Sequence, residues 1–403
     1  MHQSDTGMIQ CVTRTLREED PGTMHATEGI TSFKPPRRVL MGPGPSDVHP
    51  RVLAAMARPT IGHLDPEFVR MMDEAKDLLR YAFQTGNRVT FPVSGPGSVG
   101  METCFVNLVE PGDKVLVCRN GAFGGRQLEN VRRTGGTPVV VDDDWGAPVS
   151  LDKLEAALAE EADVRVVSFV HAETSTGVRS DAAAIAAIAH AHGALVIADT
   201  VTSLGGVPVL VDEWSLDAVY SGSQKCLSCT PGLSPVTFGE RALEKVKART
   251  SPCQSWFMDL NLVLPYWEGG ARTYHHTAPI NPLYGLHEAL VMLTEEGLEA
   301  AWRRHAENHA ALVEGVEAQG LTMLVEPEYR LPQLNAVCVP AGVDDAWVRT
   351  EALKRYQLEL GNGLGALAGK VWRIGLMGTS CTPANVSLCL DALGTLVPEA
   401  AAR

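Results

Sequence analysis

From Val39 onward, short runs of apolar and β-branched residues alternate with stretches whose apolar positions recur every three to four residues. That alternation predicts βαβ units wound into a largely parallel sheet. The clearest strand runs are residues 114–118, 138–141, 164–171, 194–199 and 217–220. Among the intervening helical stretches, 181–192 is the best defined, with Ser180 placed to cap its start and Gly193 placed for the left-handed turn after its end. Beyond Pro282 the pattern changes to a long helix carrying Trp302, Arg303 and Arg304. A mixed region follows, from 320 to 403, with separated strands and two more helices. The pattern therefore predicts three parts: a polar arm over residues 1–36, a large α/β domain over 37–297 with a mostly parallel sheet, and a smaller C-terminal α+β domain over 298–403.

Composition narrows the function classes. The chain has 403 residues, 34 Lys plus Arg against 48 Asp plus Glu, and a formal net charge of −14. An acidic surface repels phosphate backbones and anionic lipid, so neither nucleic acid nor membrane is an expected partner. With 45% hydrophobic and 20% charged residues the bulk of the chain is neither disordered nor fibrous. Nine cysteines scattered from Cys11 to Cys389 do not form the dense framework of a small secreted domain and fit a reducing cytoplasm. The first thirty residues include Asp5, Glu18, Glu19 and Asp20 and lack the apolar run of a signal peptide, and no run of eighteen apolar residues occurs.

In open α/β sheets ligands bind beyond the carboxyl ends of the strands, so chemistry is sought in the residues just past each strand. Ser94-Gly95-Pro96-Gly97-Ser98-Val99-Gly100 follows an apolar run and precedes a helical one, from Met101 to Val109. Read as G-x-G-x-x-G it suggests a dinucleotide site. The acidic residue that a dinucleotide ribose needs about twenty positions later is missing, because 114–128 contains no Asp or Glu. What remains is a glycine turn presenting backbone N–H groups at a helix start, an anion site or an ordinary tight turn. Asp199 ends an apolar strand, where a carboxylate needs a cation or strong donors unless it merely caps the next segment. Lys225 ends another strand run and is followed by ten residues, 226–235, without a charge. A lysine so placed is desolvated, has a lowered pKa, and becomes an amine nucleophile able to form a Schiff base. Strand-end Asp, strand-end Lys and an anion turn together suggest pyridoxal phosphate.

Six segments in order, Gly42 to Ser46, Ser94 to Gly100, Ser175 to Gly177, Asp199 to Gly206, Ser221 to Lys225 and Arg373 to Gly378, resemble the class V aminotransferases of the alanine–glyoxylate and serine–glyoxylate branch. The resemblance spans about residues 39–395. It implies a fold-type I pyridoxal phosphate enzyme with a seven-stranded, mostly parallel sheet. It also implies a homodimer with shared active sites, and ping-pong transfer of an amino group from alanine or serine to a 2-oxo acid such as glyoxylate. By that resemblance Lys225 carries the cofactor and the proton, and Asp199 holds the pyridine nitrogen. Val201 packs under the ring and Thr174 lies near its phenolic oxygen. Gly97, Ser98 and Gln224 bind the phosphate, Tyr274 and Thr277 reach it from the neighbouring subunit, and Arg373 clamps the substrate carboxylate.

Phe123 stands where relatives often carry a stacking Trp, and Ser98 stands where some carry His, so stacking and phosphate contact survive while the indole N–H and the imidazole do not. Cys226-Leu227-Ser228-Cys229 lacks a second pair at zinc spacing, so no metal is expected. His275 and His276, being adjacent, are expected to point apart and bond locally. His63 lies in a loop that the resemblance puts near the active-site mouth, and a structural histidine fits as well. Another class V activity, such as a phosphonate transaminase or a cysteine desulfurase, stays open. A nucleotide-dependent oxidoreductase and a non-catalytic cofactor-binding protein are the rivals outside the family.

Overall fold

The computed structural model describes residues 29–268 and 272–403. Most of the expected polar arm, residues 1–28, lies outside the described residues, and 29–36 form no helix or strand.

The large sheet is built from β1 (Val89–Ser94), β2 (Lys114–Arg119), β3 (Thr137–Asp142), β4 (Val164–Val170), β5 (Leu195–Asp199), β6 (Ala218–Tyr220) and β7 (Leu233–Phe238). Its seven strands lie in the order β1-β7-β6-β5-β4-β2-β3. All neighbours pair in parallel except at β7, which runs antiparallel to both β1 and β6. The apolar runs read from the sequence are central strands: Val115, Val117, Val166, Val196 and Ala198 are fully buried, as expected where helices cover both faces of a parallel sheet.

Two of the covering helices start at strand ends that matter below: α1 (Gly97–Leu108) after β1, and α2 (Ala122–Arg133) after β2. The first begins at Gly97 rather than at Met101. Its glycines are already helical because the helix presses on the sheet: a Cβ on Gly100 would lie 3.0 Å from Ser234 Cβ and 3.3 Å from Tyr220 Cβ. Helix α3 (Ala182–Ala191) corrects another expectation. Asp181, not Ser180, is its N-cap, accepting from the Ala184 N–H at 3.0 Å. Ser180 instead accepts from the Val149 N–H at 3.1 Å. The helix starts one residue later than the pattern suggested, so the capping position falls on the carboxylate. Gly193 does adopt φ +78° after the helix end.

Helices α4 (Ile280–Glu296) and α5 (Leu298–Ala318) replace the one long helix foreseen after Pro282, with Gly297 at φ +83° between them. A second sheet of three antiparallel strands follows: β8 (Leu334–Cys338), β9 (Gly361–Asn362) and β10 (Val371–Gly375), in the order β8-β10-β9. Its core is separate from that of the large sheet. Leu312 and Val316 of α5, Trp372 and Ile374 of β10, and the inner faces of α6 (Asp345–Tyr356) and α7 (Pro383–Ala401) bury one another there.

Candidate active site

The carboxyl ends of β5 and β6 and the turns after β1 and β4 converge on a cavity of about 170 Å³. Gly97, Ser98, Phe123, Thr174, Asp199, Val201, Gln224 and Lys225 line it. Eight residues singled out along more than 120 positions of sequence therefore share one wall. The lining adds residues that sequence reasoning missed, chiefly Arg126 and the buried Tyr220.

Lys225 is 9% exposed, and its Nζ donates to the Pro43 carbonyl oxygen. The 42–46 segment is stitched to it from the other side, for the Ser46 N–H donates to Gln224 O at 2.9 Å and Ser46 Oγ donates to Lys225 O at 2.8 Å. Gly44 is the tightest point. It holds φ +105°, and a Cβ there would lie 2.7 Å from Lys225 Cδ. Burial, helped by the charge of Arg373, lowers the lysine's pKa to about 8.

Asp199 is 3% exposed at the end of β5. One carboxylate oxygen accepts from the Val201 N–H at 2.8 Å, and the Tyr220 hydroxyl donates to the carboxylate. Burial outweighs both bonds and raises its pKa to about 7. No Lys, Arg or His among the described residues forms an ion pair with it. A carboxylate so buried is able to take up a cationic N–H donor in the cavity.

The glycine turn lies against these groups. A Cβ on Gly97 would come within 3.2 Å of Val201 Cγ2 and 3.5 Å of Ser221 O, so only glycine lets the α1 N-terminus close in. Gln224 Oε1 is buried without a hydrogen-bond partner. Phe123 sits in the first turn of α2 with the Arg126 guanidinium 4.6 Å above its ring.

Glu173 is a missed residue with a clear job. It is fully buried and accepts from the N–H groups of Phe123 (3.2 Å), Gly124 (3.3 Å) and Ser175 (3.0 Å), and from Ser175 Oγ (2.6 Å). It thereby fixes the start of α2, and with it Phe123. In the sequence it was one acid beside Ser175-Thr176-Gly177, with nothing to say that a helix from elsewhere would end on it.

Arg373 does not line the cavity. It projects from β10 and is 5% exposed. Its Nε donates to Asn362 O at 2.7 Å and its Nη1 to Thr174 O at 3.1 Å, which sets it beside the cavity wall. Burial lowers its pKa to about 10. Tyr274 and Thr277 do not line it either, and both are exposed, Tyr274 by 63% with its ring 5.4 Å from that of His63. Cys226 and Cys229 are buried free thiols, with pKa values pushed to about 12 and about 11 by burial. The expectation that His275 and His276 point apart is wrong: their Nδ1 atoms face each other at 2.8 Å. Both rings pack against Phe257, at 5.7 and 5.0 Å.

This donor set fits a phosphorylated pyridine aldehyde. There is an amine of lowered pKa for the aldehyde, a buried carboxylate for a ring N–H, an aromatic face, and a glycine turn for the phosphate. The model of the aminotransferase class-V family matches residues 41–365.

The chain belongs to the class-V aminotransferases.

Similar proteins agree along most of the length of this class-V aminotransferase. The alanine–glyoxylate aminotransferase structure from Nostoc sp. is 45% identical, with a TM-score of 0.89, covering 91% of this chain and 97% of that one. The alanine–glyoxylate aminotransferase of Rattus norvegicus is 40% identical over 89% of this chain and 87% of the rat protein. The ureidoglycine–glyoxylate aminotransferase structure from Bacillus subtilis is 36% identical, with a TM-score of 0.89, covering 92% of this chain and 95% of that one. The protein is thus a fold-type I transaminase, and its family implies dependence on pyridoxal phosphate. The oxidoreductase reading of the glycine turn and the non-catalytic reading fall away. No helix among the described residues is long and apolar enough to cross a membrane.

Proposed function

We propose that this aminotransferase moves the amino group of L-alanine, with L-serine as the alternative donor, to glyoxylate, on pyridoxal phosphate held at Lys225. The observation that carries the reading is the pairing, in one cavity behind a glycine turn, of a buried amine of lowered pKa with a buried carboxylate of raised pKa. The printed names of the relatives support the acceptor most directly, since those with alanine and with ureidoglycine as donors share glyoxylate.

Bound there, pyridoxal phosphate supplies an electron-withdrawing ring that acidifies the substrate's Cα–H bond. Lys225 Nζ would hold the cofactor's aldehyde carbon, and as a free amine of lowered pKa it would take the proton from the substrate's Cα. Asp199 would accept from the ring N–H and keep it protonated, Gly97, Ser98 and Gln224 would hold the phosphate, Phe123 and Val201 would pack against the ring, and Thr174 would lie near the phenolic oxygen. Arg373 has its Nη2 left for the carboxylate that donor and acceptor share. In the homodimer that this reading requires, Tyr274 and Thr277 complete the partner's phosphate site, which accounts for an exposed tyrosine with no part in its own cavity. Free thiols throughout the described residues support a cytoplasmic setting.

The test is the visible spectrum of the purified protein before and after L-alanine, then L-serine, with no acceptor present. A yellow band that L-alanine bleaches and glyoxylate restores supports the reading. A yellow protein indifferent to both donors overturns the substrates, and a protein that stays colourless with added pyridoxal phosphate overturns the cofactor site.

A further inference from the structure

The histidine pair stands near the site, and the proposed transamination gives it no part. His276 Nε2 lies 2.7 Å from Ser94 Oγ. Its Nδ1 meets His275 Nδ1 at 2.8 Å, and His275 stacks flat on Trp256 with 4.6 Å between centroids and 7° between planes. Beyond that, His275 Nε2 is buried with no hydrogen-bond partner. Two facing Nδ1 atoms bond only if one carries the proton and the other does not. The Ser94 hydroxyl and the two rings therefore form one directional chain. Either Ser94 donates to His276 and His276 to His275, or the whole chain runs the other way. Burial lowers the pKa of both rings, to about 4 for His276, so both are neutral near pH 7.

The two ends of this chain serve different places. Ser94 is the last residue of β1 and leads directly into the glycine turn of its own protomer. His276 lies between Tyr274 and Thr277, which are exposed and do not line their own cavity. Near His276 the aromatic rings of Phe257 and Tyr266 stand edge-on at 5.0 and 5.5 Å, so the imidazole is held on its sides as well as at both nitrogens.

We propose that His276 is a positioning residue: bonded to Ser94, it locks the 274–277 segment to the strand end that carries its own glycine turn, and so sets the phosphate site of the partner subunit. The inference rests on the shared-site homodimer proposed above. It adds that the two cofactor sites of the dimer are mechanically linked through a Ser-His-His chain in each protomer.

Heterodimers with two affinity tags separate effects on a protomer's own site from effects on its partner's. In the first, one protomer carries Lys225→Ala with Ser94→Ala and the other is wild type, so the visible band of lysine-held cofactor reports only the wild-type site. Losing one hydrogen bond should weaken pyridoxal phosphate capture at that site roughly fivefold. Ser94→Thr in the same place, which keeps a hydroxyl, should restore it. In the second, Ser94→Ala sits on the reporting protomer opposite Lys225→Ala, and capture should fall less than in the first, an equal or larger fall overturning the proposal. A loss only in the second arrangement, or in neither, overturns the proposal. A third heterodimer, with Tyr274→Phe beside Lys225→Ala, separates the two readings. If Tyr274→Phe weakens the wild-type site and Ser94→Ala does not, the His276 link fails and the shared site stands. If neither does, the shared site itself fails.

Discussion

At the scale of single residues, the site is governed by two titrations that burial has pushed toward each other. Lys225 ionises near 8 instead of near 10.5. The free-amine fraction therefore grows as pH rises through about 8, and cofactor capture by the apoprotein should accelerate about tenfold per pH unit below that value and level off above it. Stopped-flow absorbance across pH 6–10 checks this, and a plateau reached only above 10 would return Lys225 to ordinary surface behaviour. Asp199 is raised from 3.8 to about 7. The folded apoprotein then binds a proton that the unfolded chain has released, so stability should fall as pH rises from about 4 to about 7. Asp199→Asn should flatten that part of the profile, as read by urea unfolding of apoprotein at several pH values. Both residues were legible in sequence because Asp199 closes an apolar strand and Lys225 stands before ten uncharged residues, placements that are costly for a charge. Glu173 and Tyr220 were not, because their partners arrive from α2 and β5, far away in the chain.

Among the elements, glycines decide how closely helices and loops approach the cavity. Gly44 is the sharpest case, since its φ of +105° disfavours any side chain and its missing Cβ makes room for the lysine. Gly44→Ala should cost roughly 1–3 kcal/mol in chemical unfolding. It should also slow cofactor capture more than a comparable glycine-to-alanine change at Gly125, where a Cβ meets nothing within 4 Å. The strands read from the apolar runs match the observed ones to within a residue at most ends, because a buried parallel strand needs an unbroken apolar stretch. Helix boundaries were read less well. The start of α1 at Gly97, the cap at Asp181 and the break at Gly297 all depend on what the neighbouring backbone does, and local pattern does not carry that.

Across the whole molecule, the proposed catalytic set is divided between two cores. Lys225, Asp199 and the glycine turn belong to the large sheet, while Arg373 stands on β10 of the small one and reaches over to the Thr174 carbonyl. Its fork makes two structural bonds, from Nε and Nη1, with Nη2 to spare for a substrate. A lysine cannot make all three at once. Arg373→Lys should therefore lower kcat/KM in both half-reactions, by roughly 10²-fold, with the cofactor still bound and yellow. Single-turnover traces with L-alanine and then with glyoxylate check it, and an effect on one half-reaction alone would mean that the two substrates do not share the clamp. The order of segments along the chain made the family legible from sequence, whereas the exposure of Tyr274 and the Ser94–His276 contact needed coordinates.

The Pro43 carbonyl that holds Lys225 Nζ has a consequence for which aldehydes the proposed site accepts. An uncharged reactive amine is the preferred target of glycation, and the proposed function depends on one. A reducing sugar reaching the cavity must pull the amine away from that carbonyl, yet it brings neither a phosphate for the turn nor a ring cation for Asp199 to repay the displacement. Only an aldehyde carrying both recovers the cost. On the proposed function, the same loop that crowds the lysine would disfavour stray carbonyls relative to the cofactor.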